Sequence, residues 1–247
     1  MRVRLRFTKF GRVRYLGHRD VARVWERAIR KAELPIAYSE GFSPRPRVHF
    51  GLALSVGHES FAEYLDIDLR DEALGSLQIS GLPSRLSACL PVGIDVTAAI
   101  PVAFNEPSLQ ATVDVVSWQF IVEGTLGQVT DSVGALMSRA EVPISVTRKG
   151  SEQVVDLRPA LLDLHVAASP AMVPATNEET PVGVVVHCDV ATKPRSFRPA
   201  EVLATFDPPL RERRVRRIEQ WIIQGDERRP PVPLAPSEPP ELALGAG

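Results

Sequence analysis

The sequence predicts an α+β protein made of two similar halves. Segments with strand and helix periodicity follow one another in the order β-α-β-β-α-β, and the same order begins again near residue 111. Between the two runs, residues 104–107 (FNEP) have the composition of a turn and mark a boundary. Two such halves indicate two tandem ferredoxin-like domains over residues 1–104 and 108–224, each an antiparallel sheet with helices on one face.

The first half opens with a strand, because Val3, Leu5 and Phe7 alternate with arginines at a period of two. A helix is predicted over residues 19–33, where apolar residues recur at three- and four-residue steps and Pro35 ends the pattern. The other predicted elements of this half are strands at residues 48–56, 62–69 and 93–102, and a weaker helix at residues 72–90.

In the second half, Thr125 and Gln128 have the spacing of a capping box and begin a predicted helix over residues 125–141. A strand rich in valine is predicted before it, at residues 111–123. The other predicted elements are strands at residues 143–148, 153–166 and 182–190, and a short helix that starts at residues 199–203.

The end of the chain changes character twice. Residues 210–224 contain the run RERRVRR and are predicted to form a basic helix that completes the second domain. From residue 225 the chain is dominated by Pro, Glu and Arg. Because this composition cannot bury a core, residues 225–247 are predicted to be a disordered tail.

The composition is that of a globular protein, with 247 residues, 44% hydrophobic and 24% charged. The start lacks an apolar run of signal-peptide length, and nothing approaches the roughly 18 apolar residues of a membrane helix. The sequence contains only two cysteines, so we do not expect a disulfide framework. We expect the protein to be cytoplasmic. Motifs for iron–sulfur clusters, zinc, phosphate-binding glycine loops and nucleophile elbows are missing, so we expect neither cofactor nor metal and see no enzymatic activity.

The net charge of −1 hides an asymmetry. Residues 1–50 hold 13 Lys and Arg against 4 Asp and Glu, a net +9, and the other 197 residues therefore carry −10. Segregated positive charge is typical of a surface that meets a polyanion, and we expect RNA as the partner. The run RERRVRR at residues 211–217 is a second basic cluster, for which a solvated face is an equally good interpretation.

The arginines of the first strand have two interpretations. In a ferredoxin-like sheet the first and third strands are central neighbours, so Arg4 or Arg6 could pair with Asp66 or Asp68 in a cross-strand ladder. The arginines in excess of those aspartates, together with others nearby, could instead bind phosphates, and both interpretations can hold together. Base stacking on this face has little support, because Tyr64 is the one ring placed there.

A stiff loop follows the first helix in the segment YSEGFSPRPRVHF, residues 38–50. Its two prolines fix backbone torsions, so Arg45 and Arg47 would lose little entropy when they hold phosphates. The alternative is a structural turn whose arginines are solvated.

His18, at the predicted start of the first helix, could cap or pack against that helix, donate to phosphate, or act as a general acid or base. Capping or packing is the more common role of such a residue. The candidate nucleic-acid-binding residues are Arg4, Arg6, Arg12, Arg14, His18, Arg19, Arg45, Arg47 and His49, with His18 also the one catalytic candidate.

Residues 2–70 resemble the start of the radical-SAM-linked protein family, through GHRD at residues 17–20, AYSEGFSP at 37–44, LSVG at 54–57 and EYLD at 63–66. The likeness is looser as far as about residue 205, and the tail is outside it. That family is a domain of unknown function, found alone or fused behind B12-binding radical-SAM domains. Members that stand alone tend to be encoded near an endoribonuclease of the E/G type. The resemblance therefore implies an RNA role with a radical-SAM enzyme or an endoribonuclease as partner, and it implies no reaction.

A looser similarity links the chain to CRISPR repeat-associated endoribonucleases, which also have tandem ferredoxin-like domains and in some cases an early catalytic histidine. His18 matches by position, but the second half lacks their glycine-rich loop. Three functions remain open: an RNA-binding or adaptor protein in RNA modification or processing, a metal-independent endoribonuclease that uses His18, and an interaction scaffold for a radical-SAM enzyme.

Overall fold

The computed structural model describes residues 1–70, 78–148, 151–167 and 181–234. These residues form an α+β structure in which most strand pairs are antiparallel. None of the helices in the described ranges combines the length and apolar character needed to cross a membrane.

The first half contains four strands and two helices within the described residues. A short 3₁₀ turn over Gly11–Tyr15 follows the first strand, and another over Ile79–Gly81 precedes the second helix. The elements are β1 (Arg2–Lys9), α1 (His18–Lys31), β2 (Val48–Phe50), β3 (Glu59–Asp68), α2 (Leu82–Ser87) and β4 (Val96–Val102).

The second half contributes the remaining strands and helices. Its long helix begins at the predicted capping box, in which Thr125 and Gln128 bond reciprocally, so that prediction is confirmed. The elements are α3 (Leu109–Thr112), β5 (Val115–Val122), α4 (Leu126–Met137), β6 (Pro143–Arg148), β7 (Ser151–Asp156), β8 (Leu161–Ala167), β9 (Val184–Ala191), α5 (Pro199–Leu203), β10 (Glu212–Gln224) and β11 (Glu227–Arg229).

One nine-stranded sheet runs through both halves in the order β4-β1-β3-β10-β5-β9-β8, with β2 paired to β3 and β11 to β10. The halves meet where β10 pairs in parallel with β3, Arg216 opposite Glu59 and Arg217 opposite Ser60. Strands β6 and β7 form a separate hairpin. Each half packs its long helix on the sheet, with Trp25 and Ile29 in the first core and Val129 in the second.

The predicted basic helix at residues 210–224 is wrong, because this segment is the thirteen-residue strand β10. Its sequence suits a helix locally, but β10 lies between β3 and β5 and both of its faces are covered. Alternation along the strand sends Arg214 and Arg216 to the same acidic partner, Glu59. Pairing with distant strands has therefore overridden the local preference.

Other boundaries also moved. The strand predicted at 48–56 ends at Phe50, and the one predicted at 153–166 is split into β7 and β8 by a turn over Arg158–Ala160. The segment predicted as strand at 111–123 starts instead with α3. Of the helix predicted at 72–90, only α2 forms within the described residues, since 71–77 lie outside them.

The tail predicted to be disordered from residue 225 is ordered in its first part. Residues 227–229 form β11, and Val232 is completely buried against Ala62, Tyr64 and Leu109. This contact covers the polar face of the first half's sheet at Tyr64. Residues 235–247 lie outside the described part of the chain.

Glu59, at the start of β3, holds the two halves together. Its side chain is 3% exposed and accepts from Arg216 Nε at 2.9 Å and from Arg214 Nη1 at 2.5 Å, both in β10. Arg14 Nη1, from the first half, lies 3.8 Å from the same carboxylate. A buried carboxylate surrounded by guanidinium groups is stable only while both signs of charge are present.

We predict that Glu59→Gln lowers the free energy of unfolding by roughly 3–5 kcal/mol, because it removes the negative charge and leaves the guanidinium groups uncompensated. Urea denaturation followed by circular dichroism measures the change. The control is Glu152→Gln on the exposed β7, which should change stability by less than about 0.5 kcal/mol. Equal stabilities of the two variants would show that the Glu59 cluster is not a structural requirement.

Candidate nucleic-acid interface

Three of the nine candidate residues are buried in ion pairs. Arg4 is 2% exposed and makes a bidentate contact with Asp66, Nε to Oδ1 at 2.8 Å and Nη2 to Oδ2 at 3.0 Å. Arg6 is 5% exposed and reaches Glu219 in β10 at 2.7 Å. Arg14 is 8% exposed and donates to the Gly11 carbonyl. The cross-strand ladder predicted as the alternative for Arg4 is therefore confirmed, and a surface site cannot include these three side chains.

Six candidates remain at the surface. Arg12, His18, Arg19, Arg45 and His49 are exposed and Arg47 is half-buried. That these residues bind nucleic acid stays a prediction, and their placement alone does not test it.

Helix α1 carries a row of exposed arginines of which sequence reasoning named only the first as a candidate. Arg19, Arg23, Arg27 and Arg30 follow at steps of four, four and three, which places them within an arc of about 80° on the face opposite Trp25. All four are exposed, and Arg23 makes a surface ion pair with Asp20 at 3.3 Å. The sequence alone contains this signal, because the arginines recur at helical spacing on the side of the predicted helix opposite its apolar stripe. We call these four residues the arginine row.

The segment from Tyr38 to Arg47 is a hairpin-like loop, referred to below as the 38–47 loop. Tyr38 pairs with Pro46, and Ser39 N donates to the Arg45 carbonyl at 2.9 Å. Ser39 Oγ accepts from Arg45 N at 3.0 Å, and Arg47 N donates to the Ala37 carbonyl at 2.9 Å. These bonds, with the fixed torsions of the prolines, hold the base of the loop and leave residues 40–44 at an exposed tip.

His18 is the first residue of α1 but does not cap it. The N-cap is Gly17, which makes no side-chain cap bond, so the capping role considered for His18 is wrong. Its ring instead packs edge-on against Phe50, with centroids 5.2 Å apart. Packing, the other common role considered for this residue, is what the structure shows.

A small cavity of about 30 Å³ lies beside His18, with room for about two water molecules. Its polar lining consists of Lys9, His18, Glu63 and Tyr64, among apolar residues that include Phe50. Lys9 Nζ donates to the carbonyls of Leu16 at 3.0 Å and Arg14 at 3.3 Å. Burial lowers the pKa of Lys9, the negative charge of Glu63 opposes this shift, and the positive charge of Arg217 adds to it.

The second basic cluster is divided between interior and surface. Arg216 and Arg217 are 2% exposed, and Arg217 donates to Glu63 at 2.7 Å and lies over the Trp118 ring. Arg211 and Arg213 are exposed. Most of the positive charge of this cluster is therefore paired inside the protein, which weakens its interpretation as a polyanion-binding surface.

At the edge of the first half, His49 Nε2 lies 3.3 Å from Asp68 Oδ2, and Arg2 Nε donates to the other oxygen at 2.7 Å. Burial tends to raise the pKa of Asp68, but the hydrogen bonds from Arg2 and His49 and their charges outweigh it, and the net pKa lies below its ordinary value. His49 is thus an exposed imidazole whose ring nitrogen lies beside a structural carboxylate.

A family model described as "Uncharacterized protein conserved in bacteria (DUF2344)" matches residues 2–193, which is most of the chain. No curated protein matches it.

We predict that the folded protein loses stability in acid as Asp68 becomes protonated. Its pKa is lower in the folded than in the unfolded state, so its stabilising contribution is complete above the unfolded value of 3.8 and is lost as pH falls through the folded value. Thermal melts between pH 6 and pH 2.5 should show a steeper loss for the wild type than for Asp68→Asn. Parallel pH profiles would contradict the assigned pairing.

Proposed function

The chain belongs to the DUF2344 family, and we propose that it is an RNA-binding or adaptor protein that serves RNA modification or processing. The surface that binds RNA consists of the arginine row on α1, the 38–47 loop, and the exposed Arg12 and His18. The observation that carries the proposal is the arginine row.

The arginine row has the dimensions and chemistry of a backbone-binding strip. From Arg19 to Arg30 it extends about 16 Å along the helix, at about 1.5 Å per residue. Neighbouring guanidinium groups are close enough to hold successive phosphates, and each can form a bidentate contact with phosphate oxygens. A strip of charge on one side of a regular helix favours a linear polyanion over a small anionic molecule.

The excess of positive charge in residues 1–50 survives the burial of part of it. Seven of the 13 basic residues in this range are exposed, against three of the 4 acidic ones. The exposed basic residues are Arg12, Arg19, Arg23, Arg27, Arg30, Lys31 and Arg45. This local excess supports attraction of RNA to the α1 side of the molecule.

We further infer that each half is a ferredoxin-like unit. The strand orders are β4-β1-β3-β2 in the first half and, with the separate hairpin β6–β7 left out, β10-β5-β9-β8 in the second. Each order places its first and third strands at the centre, which supports this inference. RNA-binding domains with four-stranded sheets often read bases on the open sheet face. Here that face of the first half is covered at Tyr64 by Leu109 and Val232, which favours the helix side and the loop as the RNA surface.

For the adaptor role, we propose a radical-SAM enzyme or an endoribonuclease as the protein that acts on the bound RNA. This part of the proposal rests on the resemblance of residues 2–70 to radical-SAM-linked proteins and on no contact in the structure. In the scaffold alternative, the chain binds a radical-SAM enzyme but does not bind RNA.

A metal-independent endoribonuclease is the second candidate function. It is favoured by one observation, that His18, Lys9 and Glu63 line the same cavity. The His18 imidazole can move protons, and the Lys9 amine, whose pKa is lowered by burial, can move protons or stabilise a phosphorane-like charge. His18 would act as the general acid or base, with Lys9 as the neighbouring cation.

We predict that Arg23→Gln with Arg27→Gln weakens binding of single-stranded RNA. Each lost phosphate contact should reduce the slope of log K against log salt by about 0.7, so the double variant should lose about 1.4. Glutamine is a good helix former, so α1 should stay folded. Fluorescence anisotropy with a labelled RNA at several salt concentrations gives both affinity and slope.

The control for this experiment removes two exposed arginines from the second half, Arg211→Gln with Arg229→Gln, and should leave the slope unchanged. Failure of the wild type to bind RNA even at about 50 mM salt would remove the proposed function. Equal loss in both double variants would show that net charge, and not the arginine row, determines the affinity.

A further prediction separates the two candidate functions. For an adaptor, wild-type protein incubated with RNA and a chelator should leave the RNA intact, and His18→Ala should cost less than about 1 kcal/mol of stability, because it removes one ring contact with Phe50. Gel analysis of the RNA is the measurement, with His165→Ala as the exposed-histidine control. Cleavage that is lost in His18→Ala by about 10²-fold or more, but kept in the control, would establish the nuclease instead.

A further inference from the structure

Phe42 is fully exposed at the tip of the 38–47 loop. A large apolar ring in water is unfavourable, and single exposed apolar residues are common, so exposure alone does not indicate a ligand. The setting of Phe42 is more specific. Tyr38, at the base of the same loop, is about half exposed, and no aromatic contact joins either ring to another within the described residues.

The loop presents Phe42 on a fixed base. The pairing of Tyr38 with Pro46 and the bonds between Ser39 and Arg45 close the loop immediately below the tip. Gly41 adopts a φ of +121°, a conformation that a side chain would strain, and it sets the direction of the chain into Phe42. Because the base is fixed, little entropy is lost when the ring meets a ligand.

The arginines of the loop lie beside this ring along the chain. Side chains alternate along an extended segment, so Arg45 and Arg47 lie on one side of it and Pro46, paired with Tyr38, lies on the other. The loop thus combines an exposed ring at its tip with two cations on one side of its base.

We propose that Phe42 stacks on an unpaired base of single-stranded RNA while Arg45 and Arg47 hold the adjoining phosphates. The inference rests on the proposed RNA-binding function and adds to it a preference for single strands over duplexes. A base has a flat apolar face and a phosphate within one nucleotide of it, which matches a ring and a guanidinium within one loop. In a duplex the base faces are stacked internally, so Phe42 has no partner there.

A protein partner would also cover an exposed ring, but the charges favour RNA. Residues 38–50 contain two arginines and a histidine against the single acid Glu40. An apolar pocket on a protein would meet the ring but offers no partner for the arginines beside it in the loop, whereas a nucleotide offers a partner for both.

The test compares Phe42→Ala with Phe104→Ala, the same change at another exposed phenylalanine, whose ring lies under the Arg2 guanidinium. Three probes are titrated into the full chain at low salt: a mixed-sequence single-stranded 12-mer RNA, the same sequence as a blunt duplex, and inorganic polyphosphate. Loss of a base stack should weaken single-stranded RNA binding about tenfold in Phe42→Ala. Duplex and polyphosphate binding should stay within twofold, and Phe104→Ala should match the wild type with all three probes.

A second readout is independent of affinity. Phe42→Trp places an indole at the tip, and its fluorescence should be quenched by the single-stranded 12-mer and not by polyphosphate. Unchanged RNA affinity in Phe42→Ala together with an unquenched indole would overturn the inference while the proposed function stands. Equal weakening with RNA and polyphosphate would also overturn it, since the effect would then be electrostatic. If the wild type binds none of the three probes, the proposed function itself fails.

Discussion

The structure depends on the compensation of one buried carboxylate, that of Glu59. Transfer of a lone carboxylate out of water costs several kcal/mol, and the attraction of guanidinium groups offsets this only where the geometry is good. Arg214 and Arg216, which supply that geometry, lie about 155 residues further along the chain. The start of β3 is therefore satisfied only when β10 lies beside it, and the two halves become one sheet.

Ion pairs and hydrogen bonds also join β3 and β10 further along the two strands. Arg217 of β10 donates to Glu63 of β3, while Glu219 of β10 accepts from Arg6 and from the Tyr64 hydroxyl at 2.6 Å. Burial and the negative charge of Glu219 raise the pKa of Tyr64, so the phenol stays a donor. A slip of β10 by one residue would exchange the side chains between faces and separate these partners. The ion pairs thus select the register as well as the pairing of the strands.

Periodicity predicted the elements whose partners are local. The helix at 19–33, the capping box at Thr125 and the pairing of Arg4 with Asp66 all depend on neighbours or on adjacent strands of one half. The segment RERRVRR was misjudged because a strand buried on both faces has no clean alternation, and its acidic partners are remote in sequence. Charge counting had the same weakness, because it gave the buried Arg4, Arg6 and Arg14 the same weight as Arg45. The exposed arginine row could have been predicted from the helical spacing of its residues, which is present in the sequence.

Burial of the strand arginines leaves most of the exposed basic residues of the first 50 positions on α1. The arginines of β1 and β10 compensate acidic groups inside the molecule, so they add little field outside it. The guanidinium groups of the arginine row have water on one side, and Arg23 is the one with an acidic neighbour on its own helix at 3.3 Å. A surface pair of this kind is worth at most about 1 kcal/mol and yields easily to phosphate. The residues proposed to attract a polyanion are therefore those that the fold does not require, and their substitution should change binding without changing the sheet.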